Sequence, residues 1–147
     1  MDRIYNLVLG ITGNADDAFD AAQNAFLRMF QNFQSYDGRA SLGTWIHRIA
    51  VNEALQLLRR RSVEHRHAPR IARRVETPLP TEWEFDPATV EGALARLSDE
   101  HRVILLLRYQ AGMSYRDIAA VLDIPEGTIA SRLNRARGEL RVLLEGG

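Results

Sequence analysis

Thr128, Ser131, Arg132 and Arg135 recur at three- and four-residue spacing in a stretch whose apolar residues, Ile129, Leu133, Ala136 and Leu140, repeat at four, three and four. That pattern predicts a helix with one apolar stripe turned inward and hydroxyls and guanidiniums on the other side. Guanidinium forks grip guanine edges, and hydroxyls and guanidiniums both reach phosphate oxygens, so such a helix laid in a major groove can hold duplex DNA. The plainer alternative is a solvated face whose arginines pair with Glu126 or Glu139.

A second set, Trp45, Arg48, Asn52 and Arg59, falls at steps of three, four and seven, turned away from Ile46, Ile49, Ala50 and Leu57. An aromatic ring, an amide and two cations on one side suit single-stranded nucleic acid. An exposed base stacks on the ring, the amide hydrogen-bonds it, and arginine holds the backbone. Taken singly, Trp45 fits a core position, and Arg59 to Arg61 fit a helix C-terminus that favours positive charge. A third face, Asp20, Gln23, Asn24 and Leu27, carries little positive charge; it suits a protein partner better than DNA, with a solvated helix face as its alternative.

Helices must position all three sets. Apolar residues recur at helical spacing at Ile4, Leu7, Val8 and Ile11, at Phe19, Ala22, Phe26, Phe30 and Phe33, and at Ile46, Ile49, Ala50, Leu57 and Leu58. Thr12-Gly13-Asn14 and Ser35-Tyr36-Asp37-Gly38 break these stripes apart, with Asn14 or Asp16 able to cap the second helix. Nothing alternates with period two, so the predicted fold class is all-α. From Ser62 to Pro87 the periodicity fades, and Pro69, Pro78, Pro80 and Pro87 interrupt any helix. Beyond it, Val90 to Leu97, Asp99 to Ala111, Ser114 to Leu122 and Pro125 to about Leu144 read as helices. Ser114 with Asp117 forms a cap signature, Ala119 is small where two helices cross, and Pro125 suits the first turn of the last helix. The expected architecture is two small helical domains, residues 1–62 and 88–147, joined by a Pro/Arg-rich linker over 63–87, with a helix-turn-helix in the second.

Composition narrows the function classes. With 147 residues, 46% apolar content and no cysteine, the chain can build a core but offers no disulfide, thiol nucleophile or cysteine-held zinc. No run approaches the length of a membrane span and no export leader is apparent, so no membrane insertion and a cytoplasmic location are expected. All 19 basic residues are arginine and the net charge is zero. The arginines crowd between Leu58 and Val75, and acids dominate from Glu76 to Glu100, as expected of two partners or two faces, or of a solvated linker. His65 and His67 are too few, and too loosely framed, to hold a metal, and no cofactor is expected.

Together, TGNADDAFDAAQNAFLRMFQNFQSYDGRASLGTWIHRIAVNEALQLLRRR and ALARLSDEHRVILLLRYQAGMSYRDIAAVLDIPEGTIASRLNRARGELR, in that order with a linker between, resemble the extracytoplasmic-function sigma factors of bacterial RNA polymerase. WIHRIAVN and the final segment carry most of the resemblance. It implies that residues 1 to about 62 dock on the clamp coiled coil of core RNA polymerase through Asp20, Gln23 and Asn24. They would then capture the melted minus-ten strand with Tyr36 to Thr44, Trp45, Arg48 and Asn52. Residues from about 88 onward would bind the minus-thirty-five element as duplex through Thr128, Ser131, Arg132 and Arg135. The family implies no enzymatic activity and an anti-sigma protein as a further partner.

Three features depart from the family pattern. Family members usually carry another helix ahead of the segment matching Tyr5-Asn6-Leu7-Val8, and the sequence as given starts almost directly at it. Phe19 and Asn24 stand where glutamates are frequent, and Ala130 and Asn134 stand where basic residues or histidine are frequent. A decoy that occupies an anti-sigma protein, or a stand-alone helix-turn-helix regulator, are the alternatives; the latter has no use for the Trp45, Arg48, Asn52 face.

Overall fold

The computed structural model describes the backbone of residues 2–67 and 89–145, and side chains over 3–62 and 89–145. Seven α-helices and no strand occur among these residues. Helix α1 spans Asp2–Thr12 and ends at Gly13, whose φ of 84° lies where a side chain would be strained. Asn14 then caps α2, Ala15–Asn32: its side-chain oxygen accepts from the Asp17 backbone N–H, while its amide nitrogen donates to the Asp17 carboxylate, both at 2.8 Å. A short 3₁₀ turn, Phe33–Ser35, leads through a loop to α3, Leu42–His67, whose first turn is capped by Ser41 Oγ accepting from the Thr44 N–H at 3.1 Å. The helix thus continues through Ser62–His67, where apolar periodicity has already faded. The four linker prolines, with much of the basic and acidic blocks, lie outside the described residues.

In the second unit Thr89 caps α4, Val90–Arg96, and Ser98 caps α5, Asp99–Leu105. Ser114 caps α6, Tyr115–Leu122, accepting from the Asp117 N–H at 3.1 Å. The chain turns through Asp123, in the left-handed region at φ 57°, an aspartate being among the residues that tolerate it. Helix α7 then runs Glu126–Glu145, with the Pro125 carbonyl accepting from Thr128 and Ile129. The sequence predicted one regular helix from Asp99 to Ala111. Instead α5 passes into a π-helical turn, Leu106–Gln110, where the Ala111 N–H reaches back to the Leu106 carbonyl at 3.0 Å. The extra residue in that turn, which contains Tyr109, shifts the angular positions of the side chains from there onward.

Of the apolar stripe read on α2, Ala22 and Phe26 turn to the core and the other three members do not. Ala18, Ala21, Ala22 and Ala25 are buried, while Phe19, Phe30 and Phe33 are exposed. Apolar residues lie on both sides of this helix, so spacing alone did not identify the inner face; the alanines face inward because they let α1, α2 and α3 approach closely. Two ion pairs tie α2 to α3: Arg28 with the buried Glu53, and Arg61 with the buried Asp17 at 2.7 Å.

The two units are packed on each other. One continuous buried cluster runs from Leu7, Val8 and Ile11 to Ile104, Leu107 and Ile129. α1 lies against α5 and its π turn, and α3 against α6. Gly10 is a point of close approach in this seam, since a Cβ there would sit 3.0 Å from a Leu106 methyl. Arg102, almost fully buried, crosses it: Nε donates to the Ile11 carbonyl at 3.1 Å, one terminal nitrogen to the Leu97 carbonyl at 3.0 Å, and the other to Asp99 at 2.7 Å.

Candidate nucleic-acid and protein interfaces

Near its start α3 presents Trp45, Arg48 and Asn52 on successive turns. They line one cleft of about 270 Å³ together with Arg28 and Asn32 from the end of α2. Trp45 is half-buried and stands apart from the buried core. Its ring meets Phe33 edge-on at 6.3 Å between centroids and Tyr36 at a tilt at 5.3 Å. Tyr36 is itself anchored, its hydroxyl donating to the Ala40 carbonyl at 2.6 Å. The cleft therefore combines a braced aromatic platform, two amides and two guanidiniums, the donor set for stacking and holding an unpaired base. Arg28 is fixed in this position by its pairing with Glu53. Arg59 lies outside the cleft, exposed, roughly 10 Å further along α3 at 1.5 Å per residue.

On α7, Ile129, Leu133 and Ala136 are buried, which turns Ser131, Asn134 and Arg135 outward; Thr128 and Arg132 are half-buried on one flank. Ser131 Oγ donates back to the Thr128 carbonyl at 3.1 Å. Arg137, on the opposite flank, donates to the Tyr109 hydroxyl and to the Asn134 side-chain oxygen, both at 2.7 Å. Tyr109 first, and then Tyr115, hold the Arg137 guanidinium above its ordinary pKa through hydrogen bonds to it. Nearby, Arg108 lies 5.1 Å from the centre of the Tyr115 ring and donates to the Met113 carbonyl at 2.8 Å. The short turn between α6 and α7 and the polar outer face of α7 form a helix-turn-helix in geometry as well as in spacing.

The outer face of α2 differs from both. Asp20 and Gln23 are exposed and Asn24 is half-buried. Beside them opens an apolar groove lined by Gln23, Phe26, Leu27 and Phe30, with Phe30 89% exposed. Apolar side chains left in water on one helix face mark a protein-binding surface more than a nucleic-acid one.

The sequence reading missed Arg28 and Asn32, because the approach of α2 to α3 that brings them beside Trp45 has no local pattern. It also missed Tyr109 and Arg137, which meet only where the π turn comes against α7. His65 and His67 have side chains outside the described residues, and no group of three or more acidic or histidine side chains gathers at one point among those described. No helix among the described residues is long and apolar enough to cross a membrane.

Two families match the chain, Sigma-70 region 2 over residues 1–64 and Sigma-70, region 4 over residues 88–140. The ECF RNA polymerase sigma factor SigE of Mycolicibacterium smegmatis is 36% identical over 146 residues, covering 95% of this chain and 56% of that protein. The RNA polymerase sigma-H factor of Pseudomonas aeruginosa is 32% identical over 151 residues, covering 92% of this chain and 77% of its own. Among solved structures, the sigma factor RpoE of Bartonella quintana, in complex with the anti-sigma factor NepR, has the same fold with a TM-score of 0.75 at 24% identity, covering 97% of this chain and 89% of that one. With matches to both sigma-70 regions in order along one chain, this protein belongs to the ECF family of RNA polymerase sigma factors.

Proposed function

We propose that this chain is a promoter-specificity subunit of bacterial RNA polymerase. The outer face of α2, with Asp20, Gln23 and Asn24 beside the Phe30 groove, docks on the clamp coiled coil of the core enzyme. The cleft of Trp45, Arg48 and Asn52 captures the melted minus-ten strand, and α7 reads the minus-thirty-five element as duplex through Thr128, Ser131, Arg132 and Arg135. Residues 1–62 and 88–147 are the two functional domains, and 63–87 is the tether. The observation that supports this most is the gathering of Trp45, Arg48 and Asn52 with Arg28 and Asn32 in one cleft, on the same chain as a helix-turn-helix.

The physical logic is exchange of partners without covalent chemistry, so the subunit is no enzyme in itself. An unstacked base that finds an aromatic face recovers about 1–3 kcal/mol, which offsets part of the loss of duplex stacking. Two weak grips on one tether strengthen each other once polymerase fixes their spacing. The place of action is the bacterial cytoplasm, and the exposed apolar face of α2 suits an anti-sigma protein as the competing partner.

Run-off transcription with core polymerase and promoter fragments tests this directly. Transcripts should appear only when the protein is added. Trp45→Ala should suppress them on duplex templates while sparing templates carrying a pre-melted bubble. Equal loss on both templates would mean that Trp45 serves folding. No transcript from any template, with firm binding to an anti-sigma protein, would make the chain a decoy.

A further inference from the structure

Arg137, Asn134 and Tyr109 form a chain of two hydrogen bonds at the edge of the exposed face of α7. An arginine side chain has donors and no acceptor, so the atom of Asn134 that meets it at 2.7 Å is the amide oxygen. The orientation of the amide follows from chemistry, without any choice between its two near-identical ends. Arg137 is held in turn by the Tyr109 hydroxyl, which the π turn places within reach, so the guanidinium is braced from two sides.

Asparagine ordinarily reads adenine, donating to N7 while its oxygen accepts from the N6 amino group. Here the oxygen is engaged by a cation in a charge-assisted bond, and the N6 hydrogens would have to share it with a stronger donor. What the amide can offer is its amino group. The base edge that matches donors alone is guanine, with N7 and O6 both acceptors; thymine offers one acceptor and a methyl, and cytosine offers a donor. Asn134 is exposed, three residues after Ser131 and next to Arg135, both exposed on the same helix.

Resting on the duplex-reading role of α7 given above, we infer that Asn134 is a base-reading residue locked into donor polarity by Arg137 and Tyr109, so that it selects guanine at one position of the promoter duplex and discriminates against adenine. Arg137 and Tyr109 are positioning residues in this scheme: they act through the orientation of the Asn134 amide.

The test is selection from a randomised duplex library by the full chain bound to core polymerase, with the enriched bases compared between variants. Wild type should enrich guanine over adenine at one position by about tenfold, within the discrimination of a well-made base contact. Asn134→Ala should erase the preference at that position alone. Arg137→Met, which keeps the length of the side chain but removes its donors, should move the position toward adenine while the positions read by Ser131 and Arg135 stay unchanged. Should Arg137→Met melt early by circular dichroism, Tyr109→Phe, which removes only a hydroxyl at an exposed site, takes its place and should shift the preference in the same direction. The same enriched bases in wild type, Asn134→Ala and the positioning variant would overturn the inference while leaving duplex reading by α7 intact. No enriched sequence with wild type would overturn both.

Discussion

The two helical units share one core but differ in what they leave exposed to water. The C-terminal unit buries its large residues, Val103, Ile104, Leu107, Ile118, Val121, Ile129 and Leu133, and shows polar side chains on α7. The N-terminal unit packs α2 through Ala18, Ala21 and Ala25, closes its edges with Arg28–Glu53 and Arg61–Asp17, and leaves Phe19, Leu27, Phe30 and Phe33 outside. On the proposed function the C-terminal unit meets polar base edges and phosphates, so its outer face can stay polar while its large apolar residues join the shared core. On the same proposal the N-terminal unit meets a protein and unstacked bases, partners that call for apolar and aromatic surface left exposed.

Leu133→Ala against Phe30→Ala is the strongest way to break that comparison. Leu133 is fully buried, so its truncation should cost about 2–5 kcal/mol and lower the melting temperature sharply. Phe30 is 89% exposed, and its truncation should change stability by no more than about 0.5 kcal/mol while weakening capture by immobilised core polymerase. If Phe30→Ala destabilised as much as Leu133→Ala, the exposed aromatics of α2 would be part of the fold and not of an interface.

The seam between the units gives the next largest effect. Arg102→Met keeps an unbranched chain of similar length but strips three donors from the Ile11 and Leu97 carbonyls and from Asp99. Buried carbonyls left without partners should destabilise by about 1–3 kcal/mol. The informative readout is hydrogen exchange: protection should fall at the C-terminal end of α1 as well as in α4 and α5. A loss confined to α4 and α5 would mean that the two units are stable independently and the seam contributes nothing.

How much of this was readable beforehand follows from where the determining interactions lie. The helix-turn-helix was legible because its signals are local: the Ser114 cap, Pro125 at the entry to α7, and a single apolar stripe. The inner face of α2 was not, because alanine and phenylalanine both count as apolar, and only the closeness of α1 and α3 decides which is admitted. The bond from Arg102 to Ile11 joins residues 91 apart in sequence, and no periodicity marks such a pair. For the same reason Trp45, Arg48 and Asn52 were visible as one face of a helix, while Arg28 and Asn32, arriving from another helix, were not.

Arg48 belongs to both descriptions, and separating them is the finest test. It lines the cleft and lies 3.9 Å from Asp123 across the seam, with the two side chains 49% and 85% exposed. A pair so open to water contributes about 0–1 kcal/mol, so neither Asp123→Asn nor Arg48→Ala should shift the melting temperature measurably. Asparagine is the right replacement at 123, since it tolerates the left-handed backbone found there. The two variants should part company in binding. With core polymerase present, Arg48→Ala should weaken the hold on a single-stranded promoter oligonucleotide and lower the slope of log affinity against log salt by about 0.7, the loss of one phosphate contact. Asp123→Asn should leave both unchanged, because it removes the partner and keeps the cation. Identical behaviour of the two variants would assign Arg48 to the seam alone and leave Trp45 and Asn52, with Arg28, to hold the strand.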